Sequence, residues 1–255
     1  MVEAASHTLE LRNVCQRFAL DNGRELDVLK DVSFDITQPE IVGIVGPSGC
    51  GKSTLLRLIS GLDMPAEGKL FYDGAPITGP GPERGFVFQS PALCDWLTVS
   101  ENIAIGLKAR KLYKGNEEKV ARYIEMMGLS GFENSYPYQI SGGMASRASL
   151  ARTFIQEPGV VLLDEPLSAL DAFTRALIQD QIVQMHLNAN ALFVLVTHDI
   201  EEAVYLCDRI LIMSSRPSTV VKEIRVDLPH PRDRVSDEFV AKRKEVLGYF
   251  SDMTL

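Results

Sequence analysis

The sequence predicts an α/β fold built on a parallel sheet, with a β-rich stretch before the core and a helical lobe inserted within it. Three observations carry this. Ile41-Val42-Gly43-Ile44-Val45 is a short apolar run of buried-strand type, and it leads into Gly46-Pro47-Ser48-Gly49-Cys50-Gly51-Lys52-Ser53-Thr54. Next, Leu55, Leu56, Leu58 and Ile59 recur at helical spacing, with Gly61 as a C-terminal stop. After Pro158, apolar runs at 160–163, 192–196 and 209–213 alternate with helical stretches at 171–187 and 200–206. That is the rhythm of parallel strands joined by crossover helices.

The remaining elements follow in order. The first forty residues carry β-like runs at 9–14 and 32–36, with the turn-prone Asp21-Asn22-Gly23 between them. Beyond the glycine-rich segment come a β-like run at 69–73, Gly74, a Pro-Gly cluster at 79–82 and a strand at 85–89. From 99 to 152 the pattern is helical. Val120, Ile124 and Met127 share one face of a helix that Asn116 would cap and Gly128 would end. This divides one domain into a first part at about 1–90, a helical lobe at about 91–152, a resumed core at about 153–226 and a tail at 227–255.

Composition narrows the class. A chain of 255 residues can bury a full core, and 45% hydrophobic with 24% charged residues is ordinary for a soluble globular protein. The longest apolar runs are too short to span a bilayer, and Met-Val-Glu-Ala-Ala-Ser-His has no signal-peptide pattern. The chain is therefore expected to stay on the side where it is made. Cys15, Cys50, Cys94 and Cys207 form no C-x-x-C pair, which suits a reducing compartment and argues against structural zinc. A net charge of −8, without a basic stripe, argues against nucleic acid as the principal partner.

Three clusters carry the chemistry. Residues 46–54 are a complete G-x-x-x-x-G-K-[S/T] phosphate loop in its proper strand-to-helix setting. Its glycines let successive N–H groups and a helix N-terminus converge on anionic oxygens. Lys52 would reach the β- and γ-phosphates, and the Ser53 hydroxyl would ligate Mg²⁺. The chain therefore binds a nucleoside triphosphate. Second, the apolar run at 160–163 ends abruptly in Asp164 and Glu165. Ligands gather at the carboxyl ends of parallel strands, where two adjacent acids are costly to desolvate without a cation or a reaction to use them. Asp164 is the natural Mg²⁺ partner, and Glu165 can take a proton from an attacking water. Third, Ser141, Gly142 and Gly143 precede a helical stretch and offer a second anion cradle. Two cradles but one lysine-bearing loop suggest a symmetric dimer, each nucleotide lying between the loop of one copy and the Ser-Gly-Gly of the other.

Taken together these residues resemble the nucleotide-binding subunit of an ABC transporter. Residues 46–54 resemble the Walker A motif, 160–165 the Walker B motif, and 141–144 the ABC signature. Gln89 stands at the Q-loop position, Ser168-Ala169-Leu170-Asp171 resembles the D-loop, and Val196-Thr197-His198-Asp199 resembles the switch-histidine segment. The resemblance implies a P-loop NTPase (RecA-like) parallel-sheet core with an N-terminal antiparallel β subdomain and an inserted α-helical lobe. It implies ATP and Mg²⁺ as cofactors and a second ATP-binding subunit, identical or homologous, as partner. It also implies that Asp171 lies at the nucleotide interface and that His198 contacts the γ-phosphate. Gln89 would contact Mg²⁺ or the attacking water while linking to a membrane subunit, and Phe18 would stack on adenine. Integral-membrane permease subunits, and indirectly a solute-binding protein, complete the expected assembly at the cytoplasmic face of the inner membrane.

Two departures stand out. The family's usual Leu-Ser-Gly-Gly-Gln is altered at Ile140 and Met144, and the usual Arg-Gln-Arg after it reads Ala145-Ser146-Arg147. Cys50 within the phosphate loop needs only to be small, and a bulky thiol adduct there would block ATP. Further stretches, among them 89–99, 170–175, 198–204 and the tail Val226-Asp-Leu-Pro-His-Pro-Arg-Asp233, resemble the nitrate/sulfonate/taurine importer branch. Trp96 and Leu97 are expected as apolar anchors for the membrane subunits. With the sequence ending at Leu255, no appended regulatory domain of the kind sugar importers carry is expected. A soluble ABC ATPase working on nucleic acid or cluster assembly, and an ATP sensor that does not hydrolyse, stay open as alternatives.

Overall fold

A computed structural model describes residues 7–252 apart from Asn22 and Ala169. Its elements run β1 (Leu9–Ala19), β2 (Glu25–Ile36), β3 (Ile41–Val45), α1 (Lys52–Ser60), β4 (Glu67–Tyr72), β5 (Ala75–Pro76) and β6 (Arg84–Val87). Then come α2 (Val99–Ala109), α3 (Glu117–Met126), a 3₁₀ turn at Pro137–Gln139, α4 (Gly142–Phe154), β7 (Val160–Asp164) and α5 (Ala172–Asn188). The chain closes with β8 (Leu192–Thr197), α6 (Ile200–Leu206), β9 (Arg209–Met213), β10 (Val220–Arg225) and α7 (Asp237–Asp252).

The described residues form two sheets. The central one has the order β10-β9-β3-β8-β7-β6, with β9 through β6 parallel and β10 antiparallel on the edge. The other is antiparallel, in the order β2-β1-β4-β5. Strands β3, β7, β8 and β9 are buried along their whole length, the reason their sequences are apolar without alternation. Their side chains still divide by the period of two. Ile41, Val45, Val161, Leu163, Phe193 and Leu195 join the core that includes Ile103, Val120 and Ile124 of the helical lobe. Val42, Ile44, Val160, Leu162, Val194 and Val196 join the core under α1 and the antiparallel sheet. One sheet thus serves as the common wall of both compartments.

Register sets the working edge. Val45 lies opposite Thr197, Asp164 opposite Val196, and Val87 opposite Leu163. The segments leaving β3, β7, β8 and β6 therefore emerge side by side. They are the phosphate loop, Glu165, His198 and Gln89.

The structure departs from the sequence reading in places. β1 and β2 extend well beyond 9–14 and 32–36, carried through bulges where Asn13 and Asp31 take positive φ. Gly23 has φ 76° in the turn between them, and Asn22 lies outside the described residues. Gly61 does end α1, in the left-handed conformation. Asn116 occupies the N-cap position of α3 but accepts no capping bond; its Nδ2 instead donates to Leu112 O at 2.8 Å. The tail at 227–255, for which the sequence names no element, carries α7, and Phe239 and Val246 of that helix are fully buried.

Candidate active site

The phosphate loop starts where β3 ends. Gly49 and Gly51 have φ of 72° and 116°, conformations that a side chain resists. At Gly51 a Cβ would also lie 2.7 Å from Val28 Cγ1, so the β1–β2 hairpin packs directly on the loop. Gly49 faces open space except for Arg216 Nη2, 3.5 Å from where its Cβ would stand. Lys52 is buried, and its Nζ donates to the carbonyls of Gly46 at 2.8 Å and Pro47 at 3.0 Å. Ser48 is exposed and Thr54 partly buried. Ser53 Oγ donates to Asp164 Oδ1 at 2.9 Å, which joins loop and strand-end acid into one group of oxygen donors.

Burial pushes the Asp164 carboxyl up, and the neighbouring Glu165 adds to this; the Ser53 bond and the Lys52 charge oppose it. A buried carboxylate bonded to a hydroxyl fits Mg²⁺ with its preference for hard oxygen ligands.

Glu165 is the hub of the strand-end cluster. Its φ of 45° is unfavourable for a non-glycine residue and is held by bonds on both sides. The Glu165 N–H donates to Val196 O at 2.9 Å, and its carbonyl accepts from Ser168 Oγ at 2.9 Å. Glu165 Oε2 accepts from Gln89 Nε2 at 3.2 Å and lies 3.2 Å from His198 Nδ1. Three residues more than thirty positions apart from one another thus meet at one carboxylate oxygen. His198 stays solvent-exposed, as a group that meets a ligand must.

The second cradle is formed as well. Ser141 is the N-cap of α4, and its Oγ accepts from Met144 N at 3.2 Å. Gly142 and Gly143 open the helix, and nothing stands within 4 Å of a Cβ placed on Gly142. Ile140 and Met144, the altered positions, pack partly buried against the helical-lobe core, so the substitutions leave the Ser-Gly-Gly backbone at the helix start. Asp171 caps α5, accepting from Phe173 N at 3.1 Å and Thr174 N at 3.0 Å. Its carboxylate is already committed within its own helix; Ala169 lies outside the described residues.

Phe18 stands on β1 opposite Leu26, 40% exposed, on the hairpin that packs against the loop. Cys50 corrects an expectation. It is 2% exposed and belongs to the core under α1, so its thiol faces inward and is closed to bulky reagents in this fold. Trp96 is 76% exposed, whereas Leu97 is half-buried, so one of the two expected anchors is free.

Some residues at the site carry no local sequence signal. Arg152 on α4 donates to the carbonyls of Ala92 at 2.9 Å and Pro91 at 3.1 Å, tying the helix that follows Ser141 to the segment after Gln89. Arg216 stands by Gly49 of the phosphate loop from a turn far along the sequence. Only the folded sheet brings such partners together.

Known proteins share this arrangement. The family model described as ABC transporter matches residues 29–168, more than half of the chain. An uncharacterised ABC transporter ATP-binding protein, MJ0412 of Methanocaldococcus jannaschii, is 42% identical over 97% of this chain and 92% of its own length. The aliphatic sulfonates import ATP-binding protein SsuB of Bacillus cereus is 44% identical, covering 95% and 96%. The taurine import ATP-binding protein TauB of Roseobacter denitrificans is 39% identical, covering 96% and 94%. Among solved structures, a dimeric post-hydrolysis state of the ATP-binding cassette MJ0796 bound to ADP and Pi superposes with TM-score 0.77 and 30% identity, over 86% of this chain and 98% of that one. With the P-loop NTPase architecture, the strand-end acids and the anion cradles in place, this chain belongs to the ABC transporter family, as one of its ATP-hydrolysing cassettes.

Proposed function

We propose that this chain powers a membrane importer of small sulfonate-type anions, hydrolysing ATP in a two-cassette dimer on the cytoplasmic face of the membrane. The observation that carries the catalytic reading is Glu165, held between Gln89 and His198 at the end of β7. Glu165 acts as general base toward the attacking water, and His198 steadies the charge of the γ-phosphoryl group. Lys52 and the amides of residues 46–54 hold the phosphates, and Phe18 stacks on the adenine. Ser53, Asp164 and Gln89 would hold Mg²⁺, which when bound neutralises phosphate charge.

The dimer reading rests on the separation of the two cradles. The phosphate loop opens α1, which packs on β7, β8 and β6 of the central sheet, while Ser141 opens α4, which packs with α2 and α3 and meets that sheet at its edge strand β6. Ser141, Gly142 and Gly143 of one copy would face the nucleotide held by the other, with Asp171 close to the same interface. Membrane attachment falls to a partner, since no helix among the described residues is long and apolar enough to cross a membrane. Exposed Trp96, following Gln89, offers an anchor to permease subunits. The cargo assignment rests on the import relatives.

Glu165→Gln tests the catalytic role. ATP affinity should stay as in the parent while hydrolysis falls by about 10²–10⁴-fold, the usual worth of general base catalysis. Parent-like phosphate release from that variant would remove Glu165 from the role. For the transport reading, a strain lacking this chain should lose uptake of labelled taurine or alkanesulfonate, and the chain should co-purify with an integral-membrane protein. Undiminished uptake of both solutes would refute the cargo.

A further inference from the structure

Directly behind His198 lies a buried polar circuit that the catalytic reading does not use. Thr197 is 2% exposed and Glu202 5%. Glu202 Oε2 is hydrogen-bonded to Thr197 Oγ1, while Glu202 Oε1 is buried without a hydrogen-bond partner. Thr197 Oγ1 also accepts the Asp199 N–H at 3.0 Å. That bond clasps the residue before His198 to the residue after it, leaving His198 at the tip of a closed turn. Asp199 Oδ1 then accepts from Glu201 N at 2.9 Å and Glu202 N at 3.2 Å, which caps α6 and returns the chain to Glu202.

A carboxyl in such a place is costly. Burying an acid behind a strand end lowers stability unless its bonds do work that an apolar residue cannot. Here the work is orientation. The Thr197 hydroxyl has one proton and two lone pairs, and Glu202 fixes which lone pair meets the Asp199 amide. Around Glu202 stand Asp199 in the turn and Arg175 and Gln179 of α5. Burial pushes the Glu202 carboxyl up and Asp199 reinforces this, while the Thr197 bond, Gln179 and the Arg175 charge oppose it. A glutamine amide keeps the side-chain oxygen that accepts the Thr197 hydroxyl proton, so it closely imitates this carboxyl.

We propose that Thr197 and Glu202 are positioning residues for ATP hydrolysis: together they lock the turn that presents His198 to Glu165 and the γ-phosphoryl group. This rests on the reading that His198 acts there, and neither residue touches substrate itself.

Steady-state ATP hydrolysis by the full chain tests it, with Tm recorded for each variant. Thr197→Val should lower kcat about tenfold with the KM for ATP within about twofold, since the phosphate loop is untouched. Thr197→Ser, which keeps the hydroxyl, should restore most of the rate. Glu202→Gln should stay within about threefold of the parent, while Glu202→Ala should follow Thr197→Val. The deciding measurement is Thr197→Val in a His198→Ala background. There the valine should cost less than about twofold more, because nothing remains to be positioned. Parent-like turnover in Thr197→Val, or losses that multiply in the double variant, would overturn the proposal. Full activity of His198→Ala would instead overturn the underlying role of His198, a result the single Thr197 and Glu202 variants cannot produce.

Discussion

At Lys52 one ammonium group meets two demands. Its bonds to the Gly46 and Pro47 carbonyls hold the front of the loop in shape, and the same charge lies where phosphates would bind. Losing it removes the cation and relaxes the amides that complete the cradle. Lys52→Ala should therefore abolish triphosphate binding in a fluorescent-nucleotide titration while the protein keeps its circular dichroism spectrum. An unchanged titration would contradict the phosphate-loop assignment. Glu165 shows the opposite arrangement, a strained residue rather than a relaxed one. Its left-handed backbone is sustained by Ser168 in the same turn and by Val196 of β8, a partner that only the folded sheet supplies. This is why a short contiguous motif names the acid, while the geometry that aims it is a property of the assembled edge.

Among the elements, the C-terminal strap, residues 226–236 between β10 and α7, depends most on a single side chain. Arg232 is 5% exposed, and its Nη1 donates to the carbonyls of Val204, Tyr205 and Cys207 at the end of α6, at 2.8, 3.2 and 2.6 Å. It also donates to Val226 O at 3.3 Å and lies 3.3 Å from Asp208 Oδ1. A cation at a helix C-terminus satisfies orphan carbonyls and the helix dipole together. Arg232→Met should destabilise the fold by about 3–5 kcal/mol, the cost of breaking a buried, bonded pair, read from the urea midpoint. A shift worth under about 1 kcal/mol would mean that the strap is held by α7 alone. The same strap marks the limit of what the sequence reveals. Strands β7, β8 and β9 are legible because burial on both faces makes them uniformly apolar. The loop, the acid pair and His198 are legible because each motif is contiguous. Helix α7 is not, since Phe239 and Val246 give its charged sequence only two fully buried apolar positions. Nor are Arg232, Arg152 and the Thr197–Glu202 pair, whose partners or environment exist only once the strands are in register.

For the molecule as a whole, Asp208 joins the strap, α5 and the central sheet. Its carboxylate accepts the Ile41 N–H of β3 at 2.9 Å and lies 3.8 Å from His186 of α5, 3.4 Å from His230 and 3.3 Å from Arg232. Burial would raise this carboxyl, but the contacts from His230, Ile41, His186 and Arg232 outweigh it and hold Asp208 below its ordinary 3.8. His186 is buried against Phe193, their rings edge to face at 5.1 Å. Burial holds its imidazole below the ordinary 6.5, with the Asp208 charge opposing and His230 adding to the depression. Both shifts run downward from unfolded to folded, so in each case the unfolded chain takes up its proton first as acid is added. The stability tied to His186 is complete above pH 6.5 and declines as the pH falls through that value toward the folded pKa; the part tied to Asp208 follows only below 3.8. The expected result is a Tm that begins to fall just below pH 6.5, before any depressed carboxylate titrates. His186→Gln, which keeps a polar group but cannot gain a proton, should flatten that first decline and leave the steeper loss below pH 4 in place. Tm measured at half-unit steps from pH 8 to 3.5 decides it: parallel curves for parent and variant would show that His186 takes no part in the acid response.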